Sequence, residues 1–135
     1  MTDVNLDPEG LRVRREVLGD EHVDRAIARM TPFNAPFQEF ATRTAWAEVW
    51  SRPGLDRRMR SAVTLAALVA LRAENEVAMH VRAALRNGLT QEEISEIFLQ
   101  LAVYAGVPAA NGAFAVGQQV LDELSAETGG SHGDN

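Results

Sequence analysis

The sequence contains no cysteine and no lysine, and each absence excludes a class of chemistry. Without cysteine there are no disulfides, thiol nucleophiles or thiolate metal sites. Without lysine there is no Schiff base, which excludes the usual attachment of pyridoxal phosphate. Any reaction must therefore use histidine, carboxylates, hydroxyls, arginine or backbone groups.

Long apolar runs and basic stripes are also missing. No run approaches the roughly 18 residues that span a bilayer, so we expect no membrane partner. The polar stretch 1–11 has no apolar segment, which predicts a cytoplasmic chain without a signal peptide. The formal charge of −6 argues against a nucleic-acid partner. From Asp122 onward there are four acidic residues and no arginine, so the remainder is nearly neutral and could accept an anion.

The composition predicts an all-α, single-domain fold. Hydrophobic residues make up 46% of the 135 residues, enough for one core. Alanine, leucine, arginine and glutamate dominate, and strand alternation is absent. The predicted helices cover residues 11–17, 21–30, 36–50, 57–71, 76–86, 91–105 and 109–124. We expect one helical domain over 1–126 and a flexible, glycine-rich tail over 127–135.

Several local signals set the helix ends. Asp56 and Asn75 are predicted N-caps, Asn87-Gly88 predicts a C-cap, and Thr90 with Glu93 forms a capping box. The helix predicted for 57–71 is apolar on every side, which is typical of the centre of a bundle or an oligomer.

Glu76 and His80 are the candidate chemical pair. They lie four residues apart, so they share a helix face. If the helix ran unbroken from Leu65, both would project on the apolar side, and buried ionisable groups cluster at functional sites. The alternative is that the two side chains pair only to stabilise the contact between two helices and have no chemical role. One histidine and one carboxylate are too few for a metal, so no metal site is expected.

Other polar and aromatic residues allow two interpretations. His22 and the pair Arg14–Arg15 are typical of a solvated helix surface. Trp46 and Trp50 share a helix face and could be core, interface or ligand contacts. Tyr104, near a helix end, could donate a hydrogen bond or only pack.

The chain resembles a known family along residues 11–124. The matching segments are 14–23, 46–55, 60–61, 64–66, 76–88 and 100–111. They are similar to the 4-carboxymuconolactone decarboxylase family, within the alkylhydroperoxidase D-like superfamily. Peroxidase members have Cys-x-x-Cys where this chain has Ala73 and Glu76, so thiol peroxidase chemistry is excluded.

The resemblance implies a helical bundle of that superfamily, a homo-oligomer (trimer or hexamer), and cofactor-free decarboxylation in protocatechuate catabolism. The substrate would be a small dicarboxylate lactone. His80 would donate the proton or bind the developing oxyanion, and Glu76 would orient His80 or hold the proton itself. Arg15 and Arg60 would bind carboxylate, with His22 as a further donor.

Trp46, Trp50 and Tyr104 complete the expected substrate contacts. The alternative function is a non-catalytic or different-substrate member of the same superfamily, such as a small-molecule binding or assembly module. Arginines that bind substrate would distinguish the enzyme from such a module.

Overall fold

The computed structural model describes residues 5–132, with side chains to residue 128, and these residues form an all-α fold, as predicted. The chain divides after Arg60 into two compact units. The helices are α1 (Pro8–Leu18), α2 (Asp20–Ala28), α3 (Ala35–Ala41), a π-helix (Thr42–Trp50), α4 (Arg57–Ala70), α5 (Glu74–Arg86), α6 (Gln91–Tyr104) and α7 (Val107–His132).

Helix α1 begins earlier than predicted because its N-terminus has two strong start signals. The Asp7 carboxylate accepts a hydrogen bond from the Gly10 backbone N–H at 2.8 Å, and Pro8 occupies the first turn. The helix ends at Gly19, which has a φ of 93° that favours glycine. Helix α2 follows directly, so a single residue separates the two helices.

The segment predicted as one helix from residue 36 to Trp50 changes its winding at Thr42. From there to Trp50 it is a π-helix, a rare conformation with i→i+5 hydrogen bonding. The hydroxyls of Thr42 and Thr44 donate to carbonyls four residues earlier, at 2.6 and 2.8 Å, and Ser51 donates to Ala47. Such hydroxyl bonds compete with the α-helical ladder, which favours the wider winding.

The core of the first unit forms where α1 packs on the π-helix. Val13 and Val17 are fully buried against Trp46 and Trp50. The backbones come closest at Gly10, where an added Cβ would lie 2.1 Å from the Thr42 carbonyl oxygen. Only glycine permits that approach.

Helix α4 starts at the predicted cap, since Asp56 Oδ1 accepts the Met59 N–H at 2.8 Å. Ser61, Leu65 and Val69 are buried along one side. Val63 on another side is exposed. The prediction of a helix surrounded by protein is therefore not met within one chain.

The break between α4 and α5 differs from the predicted one. Arg72 adopts a φ of 57°, the left-handed conformation that rarely suits a residue with a side chain. Helix α5 then begins at Glu74, with Ala73 rather than Asn75 at the N-cap position. Asn75 lies inside the first turn, so its predicted capping role is wrong.

The remaining turns of the second unit follow the predicted signals. Asn87 and Gly88 end α5, and Gly88 has a φ of 106°. Both hydrogen bonds of the Thr90–Glu93 capping box are present at 3.0 Å. The core joins residues of α4, α5, α6 and α7: Leu65, Val77, Val81, Phe98, Ala113 and Val120.

Helix α7 is longer than predicted, because it continues beyond Leu124 to His132. Thr128 donates to the Leu124 carbonyl at 3.0 Å, so the helical pattern persists into the expected tail. Residues 133–135 of that expected tail lie outside the described residues. No helix of the described part is both long and apolar enough to cross a membrane.

The contact at Gly10 predicts a stability effect. We expect Gly10→Ala to lower the free energy of unfolding by about 1–3 kcal/mol, because the new methyl group must push the Thr42 backbone away. Gly54→Ala is the matched control, since nothing lies within 4 Å of the position of its added Cβ. Thermal unfolding of both variants is the measurement, and equal melting temperatures would contradict the packing argument.

Candidate active site

His80 is the strongest candidate for chemistry in the second unit. It lies on α5 and is only 6% exposed. Val77, Val81 and Ala84, on the same helix, are buried with it. Among the buried residues that the structure describes, it is the only one with a titratable side chain. Placing an ionisable ring among aliphatic side chains is unfavourable unless it makes compensating interactions, and such positions are enriched at functional sites.

Glu76 does not share the burial of His80. It is exposed in the first turn of α5, where a carboxylate is favoured by the positive end of the helix dipole. The predicted position of both residues on the apolar side requires an unbroken helix from Leu65. The turn at Arg72 resets the helical phase, so that assumption is wrong for Glu76.

Tyr104 is also far from buried. It is the last residue of α6 and is 79% exposed.

The second unit does have a cavity of about 280 Å³, but neither His80, Glu76 nor Tyr104 lines it. Its walls are mainly apolar with a few polar side chains: Val81, Gln91, Glu92, Ile94, Ser95, Phe98, Phe114, Gly117, Gln118 and Leu121.

The two tryptophans of the first unit form part of its core. Their ring centroids are 5.2 Å apart with an interplanar angle of 29°, a stacked arrangement. Both are buried against α1, with Trp46 8% and Trp50 9% exposed. This geometry supports the core alternative over direct substrate contact for Trp46 and Trp50.

Arg15 is already engaged by carboxylates. Its guanidinium forms ion pairs with Asp20 at 3.1 Å and Asp24 at 2.8 Å. The hydrogen bonds that Arg15 donates to Asp24 and Asp20 raise its pKa above the ordinary value. A substrate carboxylate would have to displace them, so the structure disfavours the predicted role for Arg15.

Arg60 keeps part of its hydrogen-bonding capacity. It is half-buried, and its Nη2 donates to the Arg52 carbonyl at 3.2 Å. Its Nε is buried and has no hydrogen-bond partner among the described residues. This donor is compatible with the predicted role in binding an anion.

Arg14 is the residue that the sequence argument missed. It is half-buried on α1, and its Nη1 donates to the Gln38 side-chain oxygen at 3.1 Å. Burial lowers the pKa of Arg14. A signal was available, because Gly10, Arg14 and Val17 are spaced as one helix face and both flanking residues are buried.

His22 lies in the electric field of Arg14. Its side chain is half-buried, and burial together with the positive charges of Arg14, Arg25 and Arg29 lowers its pKa below 6.5. At neutral pH the ring is therefore uncharged and can donate one hydrogen bond. Within residues 5–128, whose side chains the structure describes, no group of three or more histidines and carboxylates could hold a metal ion.

Comparison with known proteins identifies the family. Residues 35–119 match the carboxymuconolactone decarboxylase family. The chain is 48% identical over 124 residues to a 4-carboxymuconolactone decarboxylase of Acinetobacter baylyi, covering 92% of each chain. It is 44% identical over 116 residues to a nitrosuccinic acid decarboxylase of Metarhizium robertsii, covering 86% of this chain and 81% of the relative. The chain belongs to the carboxymuconolactone decarboxylase family, as the sequence motifs predicted.

The lowered pKa of His22 predicts a pH-dependent stability. As the pH falls below 6.5, the unfolded chain binds the proton more readily than the folded chain does. The stability associated with neutral His22 is thus present above pH 6.5 and is lost as the pH falls through the folded-state pKa. We expect the wild type to lose more stability between pH 7 and pH 5 than His22→Gln. Urea unfolding at both pH values tests this, and parallel losses would refute it.

Proposed function

We propose that this chain catalyses the cofactor-free decarboxylation of 4-carboxymuconolactone to the β-ketoadipate enol-lactone, a step of protocatechuate catabolism. The observation that carries the proposal is 48% identity to a 4-carboxymuconolactone decarboxylase over 92% of both chains. The cytoplasmic location that the sequence predicts is part of the same proposal.

The substrate carries its own electron sink, which explains why a lysine or a cofactor is not required. When the bond from the γ carbon to the carboxylate breaks, CO₂ leaves and the electron pair moves through the ring double bond to the lactone carbonyl oxygen. The resulting dienolate takes a proton at the α carbon, which yields the enol-lactone. The protein must therefore stabilise an oxyanion and deliver one proton.

His80 is the residue that we assign to the proton or the oxyanion. An imidazole can donate a hydrogen bond to the developing negative charge or transfer its proton to the α carbon. Its burial supports the assignment, because an electrostatic interaction is stronger where water is excluded. Glu76, exposed one helical turn earlier, is assigned to exchange or relay the proton with solvent rather than to act from within the core.

A second candidate is the same chemistry on a different substrate. The relative from Metarhizium robertsii, 44% identical, is named for nitrosuccinic acid. In nitrosuccinic acid the electron sink is a nitro group instead of a conjugated lactone. Both molecules have two carboxyl groups, one that leaves and one that stays. A non-catalytic binding or assembly module is the remaining alternative, and it predicts no turnover of either acid.

The proposed homo-oligomer, a trimer or hexamer, has support from exposed aromatic side chains. Phe37 and Phe40 lie one turn apart on α3 and are more than half exposed, and the preceding Phe33 is 96% exposed. A cluster of exposed phenylalanines is typical of a protein–protein interface.

Turnover of 4-carboxymuconolactone is the first test of the function. We expect the purified protein to release CO₂ from this substrate in the presence of EDTA. The change in ultraviolet absorbance as the substrate is converted measures the rate. His80→Gln should fold normally and lose about 10²–10⁴ in kcat, the usual effect of removing a general acid. Absence of turnover by the folded wild type would exclude this substrate, and nitrosuccinic acid would be assayed under the same conditions.

The exposed phenylalanines provide a test of assembly. We expect Phe37→Asp to weaken the oligomer, because it places a charge in an apolar contact that must lose water. Light scattering coupled to size-exclusion chromatography measures the mass directly. Gln119→Asp, which adds the same charge at an exposed position of α7, is the control. An unchanged mass for Phe37→Asp would place the interface elsewhere.

A further inference from the structure

The cavity of the second unit has a buried, apolar floor. Every residue that lines it belongs to α5, α6 or α7, so its walls are helices and not loops. Val81, Ile94 and Phe98 on these walls are at most 5% exposed. At Gly117 an added Cβ would lie 3.2 Å from the Phe98 ring, so the absence of a side chain there lets the ring lie against α7. The cavity is therefore preformed by close-packed helices.

Phe114 gives the cavity an aromatic wall that is only partly covered. Its ring meets that of Phe98 edge to face, with centroids 5.4 Å apart and an interplanar angle of 87°. This contact fixes the orientation of the Phe114 ring, yet the residue is still 38% exposed. Uncovered aromatic surface in a concave site can be buried against another ring, since aromatic pairs gain energy beyond the area they bury.

The polar side chains of the cavity provide hydrogen bonds in both directions. Gln91 and Gln118 are exposed, and Ser95 between them in sequence is half-buried. Gln118 donates from Nε2 to Asp122 at 2.9 Å, which orients its amide and leaves Oε1 as an acceptor. An apolar pocket with a small number of placed polar groups is the usual form of a small-molecule site.

The charge of the lining excludes an anionic ligand. Glu92 carries a negative charge, and no arginine or histidine is among the described residues that line the cavity. The positive end of the α6 dipole gives no compensation, because Glu92 and Glu93 already occupy that first turn. A carboxylate in the cavity would face Glu92 without a cation, so the dicarboxylate substrate proposed above does not fit here.

We propose that this cavity is a second binding site, separate from His80, for a small uncharged aromatic molecule with one hydrogen-bonding group. The ring would lie against Phe114, and the polar group would meet Ser95 or the amide of Gln118. The volume of about 280 Å³ is at the lower end of ligand pockets, which limits the occupant to roughly a single ring. The inference is independent of the proposed function, because no lining residue is assigned to the reaction.

Benzamide is the probe that tests the site, since it joins one aromatic ring to a neutral amide. We expect it to shift the methyl NMR signals of Val81 and Ile94 in the full-length protein. The shifts should saturate with a Kd on the order of 1 mM, an ordinary affinity for so small a ligand. Cyclohexanecarboxamide, with the same amide on a saturated ring, should bind about threefold or more weakly, because it lacks the aromatic contact.

Benzoate has nearly the shape of benzamide and tests the charge argument. We expect benzoate to bind about fivefold or more weakly, the effect of one like charge at contact distance in water. Glu92→Gln removes that charge at an exposed position and should bring the two affinities closer together.

Ser95→Leu tests the location of the site by placing a larger apolar side chain in the cavity. We expect it to weaken benzamide binding by about tenfold or more, with an unchanged or higher melting temperature because the side chain fills empty space. Gln100→Leu is the matched control, since it introduces the same side chain at an exposed position of α6 outside the lining. If Ser95→Leu does not fold, the benzoate comparison in Glu92→Gln decides the question.

Four outcomes overturn the inference. The first is the absence of saturable shifts at Val81 and Ile94 when benzamide is about tenfold above the expected Kd. The second is benzoate or cyclohexanecarboxamide binding as tightly as benzamide, which would refute the ligand class. The third is unchanged binding to folded Ser95→Leu, which would place the probe elsewhere. The fourth is a lower mass of Ser95→Leu by light scattering without benzamide binding to the wild type, which would show that a second copy of the chain covers the cavity.

Discussion

The first unit depends on the backbone approach between α1 and the π-helix at Gly10. Because no side chain separates the two helices there, Val13 and Val17 reach the stacked tryptophans and form a closed core. The same contact determines the rotation of α1. Arg14, next along the buried face, is drawn partly out of solvent, whereas Arg12 and Arg15 remain beside the acidic residues at the surface. The close packing at Gly10 therefore determines which arginines of α1 have carboxylate partners among the described residues and which one does not.

Much of the helical architecture could be predicted from local signals. The Thr90–Glu93 capping box, the Asp56 cap and the turn at Asn87–Gly88 each depend on residues within one helical turn, so the sequence contains the whole interaction. The π-helix could not be predicted in this way. The spacing of its apolar residues is the same as in an α-helix. The hydrogen bonds that the hydroxyls of Thr42 and Thr44 donate to backbone carbonyls can be recognised only in the structure. The length of α7 was underestimated because clustered glycines disfavour a helix without forbidding it.

The candidate site was predictable to a lesser degree. The burial of His80 could be predicted from its position among aliphatic residues of α5. The exposure of Glu76 could not be predicted, because the left-handed conformation of Arg72 interrupts the helix between Leu65 and Glu76. The two adjacent arginines of α1 show a similar limit. Which of them meets a carboxylate depends on the turn at Gly19, which brings Asp20 and Asp24 to Arg15. Periodicity indicates the buried face but not the ionic partners that a neighbouring helix supplies.

The stacked indoles give the first unit a spectroscopic property that the second unit lacks. Both tryptophans of the chain are in the first unit, and the second unit contains its single tyrosine. Two transition dipoles separated by 5.2 Å couple to each other, so the pair should contribute an exciton band to the circular dichroism that single indoles lack. That band depends on the geometry of the π-helix and disappears when the rings separate. The first unit therefore carries a spectroscopic signature of its own folding, distinct from the helical signal that both units share.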